Sequence, residues 1–402
     1  MRTRVVTGAA ILVTVGAMAL AGCGSSGGGK NTGLGGSSGT NSSGGSGGGQ
    51  TYKIGFQGAL SGDNKQLGIN EVNSFNLAIK EWNAQSNAPF KVTGVTSDDA
   101  GDNNKSPAAA AALIGDSAVV GVIGPIFSGP TSAAGKAYAT AGMALISPSA
   151  TNETLTSSGF TTFHRIVPTD GVEGKATADY LAAKFKNVFV VDDTTVYGKG
   201  VADVVQTELR AKGVTTERQG TNGANDSNLG PIATAIGGAK AQAVYFGGYD
   251  AEGALLAKAL KAANYTGLVI GGNGVKSSVF TQNAGAAGDG FYFACGCQDA
   301  TTAPTAKAFN TAYTQAYGTP PSTYSPEAYD ATNALLQAIK TAQSSGTVTR
   351  ASVETAVNAL DYQGITTVVK FAPNGEVAQA TVNLYKQEGG KIVELGDITK
   401  QK

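Results

Sequence analysis

From Thr51 onward two periodicities alternate along the chain, and no other feature limits the fold as much. Short apolar runs, Lys53 to Phe56, Val119 to Ile123, Ala144 to Ile146, Val188 to Val191, Ala243 to Phe246 and Leu268 to Ile270, are separated by longer stretches with apolar residues at helical spacing. Runs of this kind suit strands buried on both faces, as in a parallel sheet under helices. Lys91 to Thr96, Phe163 to Ile166 and Val214 to Arg218 read as further strands. Val72, Phe75, Ile79 and Trp82, an Ala-rich stretch ending near Ile114, and Gly171 to Phe185 supply crossing helices. Strand–helix–strand units predict doubly wound α/β sheets. About 350 residues exceed what one core usually holds, so two lobes are expected.

The stretch before Thr51 has a different composition. Arg2 and Arg4 precede an apolar run, Val5 to Leu20, that ends in small residues before Cys23. The run is short and has basic residues in front, which predicts a signal peptide over residues 1–22 rather than a membrane span. Leu20-Ala21-Gly22-Cys23 resembles a bacterial lipobox, which implies a lipid on Cys23 and a membrane-anchored protein facing the extracytoplasmic side. Residues 23–50 are almost wholly Gly, Ser, Asn and Thr after the cysteine. Such a chain cannot bury enough apolar surface to fold and acts as a tether spanning on the order of 30 Å.

The richest stretch is Val119 to Asn152, in which two strands each run into a turn of hydroxyls and small residues. Ser128 is expected as the N-cap of a helix with Pro130 in its first turn, so that free N–H groups point at any anion beyond the sheet edge. The strand Ala144 to Ile146 ends in Ser147-Pro148-Ser149-Ala150-Thr151-Asn152. Adjacent strand ends are where open α/β sheets bind ligands.

The rest of the inventory excludes several classes. Basic and acidic residues balance at 29 each, and no long basic run is interleaved with aromatics, so nucleic acid is not an expected partner. The one histidine, His164, sits on a short strand and reads as a packed residue rather than a base. Ser128 lacks a Gly-x-Ser-x-Gly elbow, no Cys/His cluster has metal spacing, and no phosphate-binding Gly-rich loop ends in Lys-Ser/Thr. A hydrolase is the disfavoured alternative; neither metal nor cofactor is expected. Cys295 and Cys297 suit either a small disulfide or two thiols on one strand face.

Nine motifs in order carry a family resemblance: GALSG (Gly58 to Gly62), SDDAGD (Ser97 to Asp102), VIGP-FSG (Val122 to Gly129), LISPSATN (Leu145 to Asn152), FHRIVPTD (Phe163 to Asp170), VYGKG (Val196 to Gly200), VYFGGYDAEG (Val244 to Gly253), GGNGV (Gly271 to Val275) and SPEAYDATNALLQAI (Ser325 to Ile339). They resemble the branched-chain amino acid type (leucine/isoleucine/valine-binding) periplasmic binding proteins of ABC importers. The resemblance implies a type I periplasmic binding protein fold, two Rossmann-like lobes joined by a three-segment hinge. Lobe 1 would hold residues 51–167 and 298–377, and lobe 2 residues 168–297 and 378–398, with Val382 and Leu384 on an edge strand after the Pro373-Asn374-Gly375 turn. The implied function is capture of a small polar solute, an amino acid or amide-like molecule, by a monomer that closes and delivers it to an ABC permease. A receptor subunit that senses a solute with the same clamp is the alternative.

Ligand residues follow from the same resemblance. Ser128 matches the residue that holds the amino acid carboxylate, Thr151 one that binds through hydroxyl and backbone, and Ser149 one that offers its carbonyl to the ammonium. Tyr197 and Tyr249 match the lobe 2 aromatics that close over the solute. Asn273 stands where the amino acid binders have glutamate. A buried ammonium without a counter-charge costs several kcal/mol. Either Asp250 or Glu327 therefore restores the charge, or the ligand is not an ordinary amino acid. Leu67 stands where relatives often have Tyr, and Gly101 and Phe127 replace the paired cysteines of some relatives.

Overall fold

The structure, a computed structural model, describes residues 50–221, 227–378 and 381–401. The expected signal peptide, Cys23 and the tether up to residue 49 lie outside the described residues. Among the described residues no helix is long and apolar enough to cross a membrane.

The first sheet is built from β1 (Thr51–Gly58), β2 (Lys91–Asp98), β3 (Val119–Ile123), β4 (Ala144–Ser147) and β5 (Phe163–Arg165). All pair in parallel, in the order β2-β1-β3-β4-β5. Every residue of β3 and β4 is buried, as their unbroken apolar runs require. The crossovers are α1 (Lys65–Ala84), α2 (Ser106–Gly115) and α3 (Ser128–Thr140). In α1, Leu67, Phe75, Ile79 and Trp82 form the buried stripe.

After β5 the chain enters a second sheet through α4 (Asp170–Ala182), β6 (Asn187–Asp192), α5 (Val196–Ala211), β7 (Thr215–Gly220), α6 (Gly230–Gly238), β8 (Ala243–Gly247), α7 (Asp250–Ala262), β9 (Leu268–Gly271), α8 (Ser278–Ala284) and β10 (Phe291–Cys295). It then returns to the first sheet with α9 (Lys307–Tyr317), α10 (Ser325–Ser345) and α11 (Arg350–Asn358); α10 packs on α1, β3 and β4. A small hairpin of β11 (Tyr362–Gln363) and β12 (Val368–Val369) follows. The last strands, β13 (Asn383–Glu388) and β14 (Lys391–Asp397), complete the second sheet in the order β14-β13-β10-β9-β8-β6-β7.

One expectation is corrected here. The strand holding Leu384 is not at the edge: β13 pairs antiparallel with β10 on one side and β14 on the other. β14 takes the edge because Gly389 and Gly390, at φ +56° and +74°, close a two-residue hairpin. Both positions of such a turn need positive φ, which glycine adopts without cost from a Cβ.

Candidate functional site

The two lobes meet across the C-terminal ends of their parallel strands. Phe127 of lobe 1 packs on Tyr249 of lobe 2 with ring centroids 4.8 Å apart, and Tyr249 packs on Tyr197 at 5.3 Å. The Asn152 side-chain amide donates to the Val196 carbonyl at 3.0 Å, and the Thr323 hydroxyl donates to the Lys276 carbonyl at 2.5 Å. Ser128, Thr151, Tyr197 and Asn273 are all no more than 3 % exposed, so this is the closed arrangement. A cavity of about 400 Å³ opens at the mouth, lined by Asn103, Gly129, Pro130, Thr195, Val196 and Tyr249.

On the lobe 1 side, Ser128 is not the N-cap of α3. Phe127 holds that position with extended backbone, and Ser128 is the first helical residue. The Ser128 hydroxyl instead accepts from the Asn152 N–H at 3.1 Å, tying the two strand-end loops together. No side chain caps α3, which leaves its first-turn N–H groups open to an anion. The loop after β4 is fixed from below by fully buried Arg165, which donates to the carbonyls of Ala150 (3.1 Å) and Asn152 (2.8 Å) and pairs with Glu376. Phe127 also covers Gly101, where a Cβ would lie 3.2 Å from the ring.

Ser149 exposes a proton count. Its hydroxyl oxygen lies 2.7 Å from the Ile126 carbonyl and 2.9 Å from Glu71 Oε1. The hydroxyl has one hydrogen, and a carbonyl can only accept, so the Ser149 proton goes to Ile126 and the Glu71 contact takes its proton from the carboxyl. Glu71 is therefore a neutral acid. Burial, with Glu327 and Asp99 adding like charge, pushes its pKa well up.

On the lobe 2 side, Asn273 donates to Glu173 twice, from its backbone (3.0 Å) and its side-chain amide (2.8 Å), and the Tyr197 hydroxyl accepts from Gly274 N–H at 3.1 Å. Glu173 is pushed up to about 7 by burial, opposed by these amide bonds. Asp170, the first residue of α4, is bound through its N–H to the Thr151 carbonyl at 2.9 Å. Its carboxyl is buried beside Thr151, yet neither of its oxygens nor the Thr151 hydroxyl makes a hydrogen bond of normal geometry. Burial, reinforced by Glu173 and Glu153 and opposed by Thr151 and Arg165, pushes Asp170 up to about 8. The hydroxyls of Tyr245 and Tyr324, which share the electrostatic neighbourhood of Glu173, are likewise buried and unpartnered. A cluster of buried carboxyls and hydroxyls lacking partners suits a polar ligand.

The structure thus brings Ser128, Ser149, Thr151, Tyr197, Tyr249 and Asn273 around one cleft. It gives Asp250 and Glu327 other partners. Asp250 accepts from Ser277, the N-cap of α8, at 2.5 Å, and Glu327 accepts from Gln298 N–H at 2.7 Å on the hinge. Glu71, Asp170, Glu173, Tyr245 and Tyr324 were missed; Asp170 ends the quoted FHRIVPTD motif and Tyr245 lies inside VYFGGYDAEG, the only signals for either. His164 is packed on Phe371 at 4.7 Å, with its ring nitrogens on the Leu145 carbonyl and Asn358. Cys295 and Cys297 form a disulfide with Cα atoms 5.1 Å apart. Among the described residues no group of three or more His, Cys, Asp or Glu is arranged to hold a metal.

Comparison with known proteins agrees with this architecture. A Leu/Ile/Val-binding protein of Rhizobium johnstonii is 31% identical over 85% of this chain and 92% of its own length. The structure of a leucine-binding protein from Thermotoga maritima superposes with a TM-score of 0.79 at 22% identity, over 87% of this chain and 99% of that one. A branched-chain amino acid transporter substrate-binding protein from Streptococcus pneumoniae, in complex with isoleucine, gives 0.76 at 26% identity, over 86% and 100%. The periplasmic binding protein profile matches residues 51–391, most of the chain, and with two doubly wound lobes closed on a polar cleft the chain belongs to the periplasmic binding protein family.

Proposed function

We propose that this protein is an extracytoplasmic solute-binding lipoprotein that closes on an α-amino acid and hands it to an ABC-type permease. The observation that carries the ligand class is Asp170, a buried carboxyl beside Thr151 with both oxygens unpartnered. The solute carboxylate lies at the open start of α3 with Ser128, and its ammonium at Thr151, Asp170 and the Ser149 carbonyl. Asp170 then supplies the charge that Asn273 does not. Tyr197 and Tyr249 cover the side chain. The names of the relatives support a branched-chain substrate. Anchoring through Cys23 rests on the lipobox alone; metabolic lipid labelling that disappears in Cys23→Ser tests it.

A thermal-shift screen over aliphatic and aromatic amino acids, their amides and uncharged polar solutes tests the ligand class. At a hundredfold excess over its dissociation constant a true ligand adds about 2.7 kcal/mol, a shift of a few degrees in a chain this long. Amino acids should shift the midpoint and their uncharged analogues should not. A response to amides alone would sink the assignment of Asp170 and restore the reading in which Asn273 selects a neutral ligand.

A further inference from the structure

Away from the cleft, the segments that join the lobes enclose a second cavity of about 440 Å³, lined by none of Ser128, Thr151, Tyr197, Tyr249 or Asn273. All three crossovers contribute to its wall: Pro168 from the first, Cys297 and Gln298 from the second, Thr381 from the third, with Glu327 and Thr366 closing it on the lobe 1 side. Several of its side-chain donors are already committed. The Gln298 amide donates to Thr305, and the Thr366 hydroxyl to Asp330. Its unpartnered buried atoms are both acceptors, Glu327 Oε2 and Gln298 Oε1. Glu327 is 2 % exposed.

The surrounding charge has the same sign. The cation facing Glu327 is Lys276, itself fully buried over the Tyr385 ring at 4.3 Å. Lys276 also feels Asp299 and Glu394, and Asp330 lies beside Glu327, so carboxylates outnumber the ammonium. Burial pushes Glu327 up to about 7, and a bound cation would hold it ionised.

We propose that the hinge cavity is a second solute site, for a small organic cation with N–H donors that pair with Glu327 and Gln298, and that its occupancy biases lobe closure. Coupling follows from the walls: they are the segments whose backbone must turn when the lobes separate, and Glu327 grips the second of them through Gln298 N–H. A ligand that fits one hinge angle better than another shifts the equilibrium by the difference in its affinities, and the effect on the cleft solute is reciprocal. The coupling rests on the closure reading given above; the site itself does not.

The test uses the mature chain with n-butylammonium as probe and n-butanol as its uncharged counterpart. Butylammonium, and not butanol, should raise the melting temperature, and soaked crystals should place its nitrogen within hydrogen-bonding distance of Glu327. Both effects should vanish in Glu327→Gln, and also in Thr381→Trp, which fills the cavity from an exposed position without touching the buried carboxyl. Saturating butylammonium should change the isoleucine dissociation constant at least threefold in the wild type. The site is overturned if butanol acts equally or if both variants still respond as the wild type does. An unchanged isoleucine affinity overturns the coupling. Failure of isoleucine to bind at all would count against the branched-chain reading, while the melting and crystallographic results would still decide the cavity.

Discussion

Burial holds Asp170 up to about 8 and Glu173 up to about 7, and the proton count around Ser149 makes Glu71 neutral as well. These acids set the pH behaviour of the unliganded closed form. For each, the folded pKa lies above the unfolded value near 4, so the native state binds more protons between the two values. The stability they contribute is fully present below about pH 4 and is lost as pH rises through the folded values, about 7 for Glu173 and about 8 for Asp170. Glu71→Gln keeps a donor to Ser149 and removes the titration. Its stability in urea should equal or exceed that of the wild type at neutral pH, and the gap should widen toward about pH 9. A variant that is markedly less stable at neutral pH would mean that the Glu71 charge is needed. Asp170→Asn should likewise stabilise the closed form at high pH, yet weaken amino acid binding by about 2–5 kcal/mol, roughly thirtyfold or more, because a buried ammonium loses its counter-charge. Calorimetric titration reads the second effect. Apart from Asp170, which ends the FHRIVPTD motif, none of these acids stands out in the sequence: with 29 acidic residues, nothing local distinguishes those that tertiary packing removes from water. The hydroxyls were easier to read, because Ser128, Ser149 and Thr151 follow directly after strands whose direction was already clear.

The strands and crossing helices were legible for a physical reason. A parallel strand covered on both faces must be apolar throughout, and β3, β6 and β8 are read directly from that rule. What the rule does not reveal is which side chain takes which role at a boundary. Ser128 has the chemistry of an N-cap, but the turn after β3 puts Phe127 at that position, and the Ser128 hydroxyl bonds to Asn152 N–H instead. The C-terminal hairpin was hidden differently. Gly389-Gly390 is a strong turn signal, but Lys391 to Asp397 alternates half-buried and exposed residues too weakly to read as a strand without its partner. Packing between elements is also very close at a place the sequence marks only by a glycine. A Cβ on Gly68 would lie 1.9 Å from the Ala59 carbonyl oxygen, where the first turn of α1 touches the loop leaving β1. Gly68→Ala must push α1 off that loop, and overpacking of this kind costs about 1–3 kcal/mol. With backbone as the obstacle the cost should fall at the top of that range, and the loop displacement should carry to Leu67 and the lobe 1 wall of the cleft. Urea unfolding checks the stability. A loss below about 0.5 kcal/mol would mean the loop yields freely.

At the scale of the whole molecule, the contacts that hold the lobes shut without a solute include the Phe127–Tyr249 rings, the Asn152–Val196 bond and the Thr323–Lys276 bond. Against them stand buried polar atoms that closure removes from water without giving them partners, each costing about 1–3 kcal/mol. The balance favours an empty protein that is mostly open and a solute that supplies the missing partners. Affinity then scales with the fraction of molecules able to close. Asn152→Asp isolates this effect. The aspartate oxygen can still accept from Thr154 N–H, as Asn152 does at 3.0 Å, so the lobe 1 loop keeps its turn. It cannot donate to the Val196 carbonyl, and the closed state alone loses a hydrogen bond worth about 1 kcal/mol. The expected result is a roughly fivefold weaker amino acid affinity, an unchanged melting temperature for the empty protein, and a solution scattering profile that still contracts when the solute saturates. Equal affinity in Asn152→Asp and wild type would mean that the interlobe bond is absent from the solute-bound state. A profile that does not contract on binding would remove the premise that closure accompanies capture.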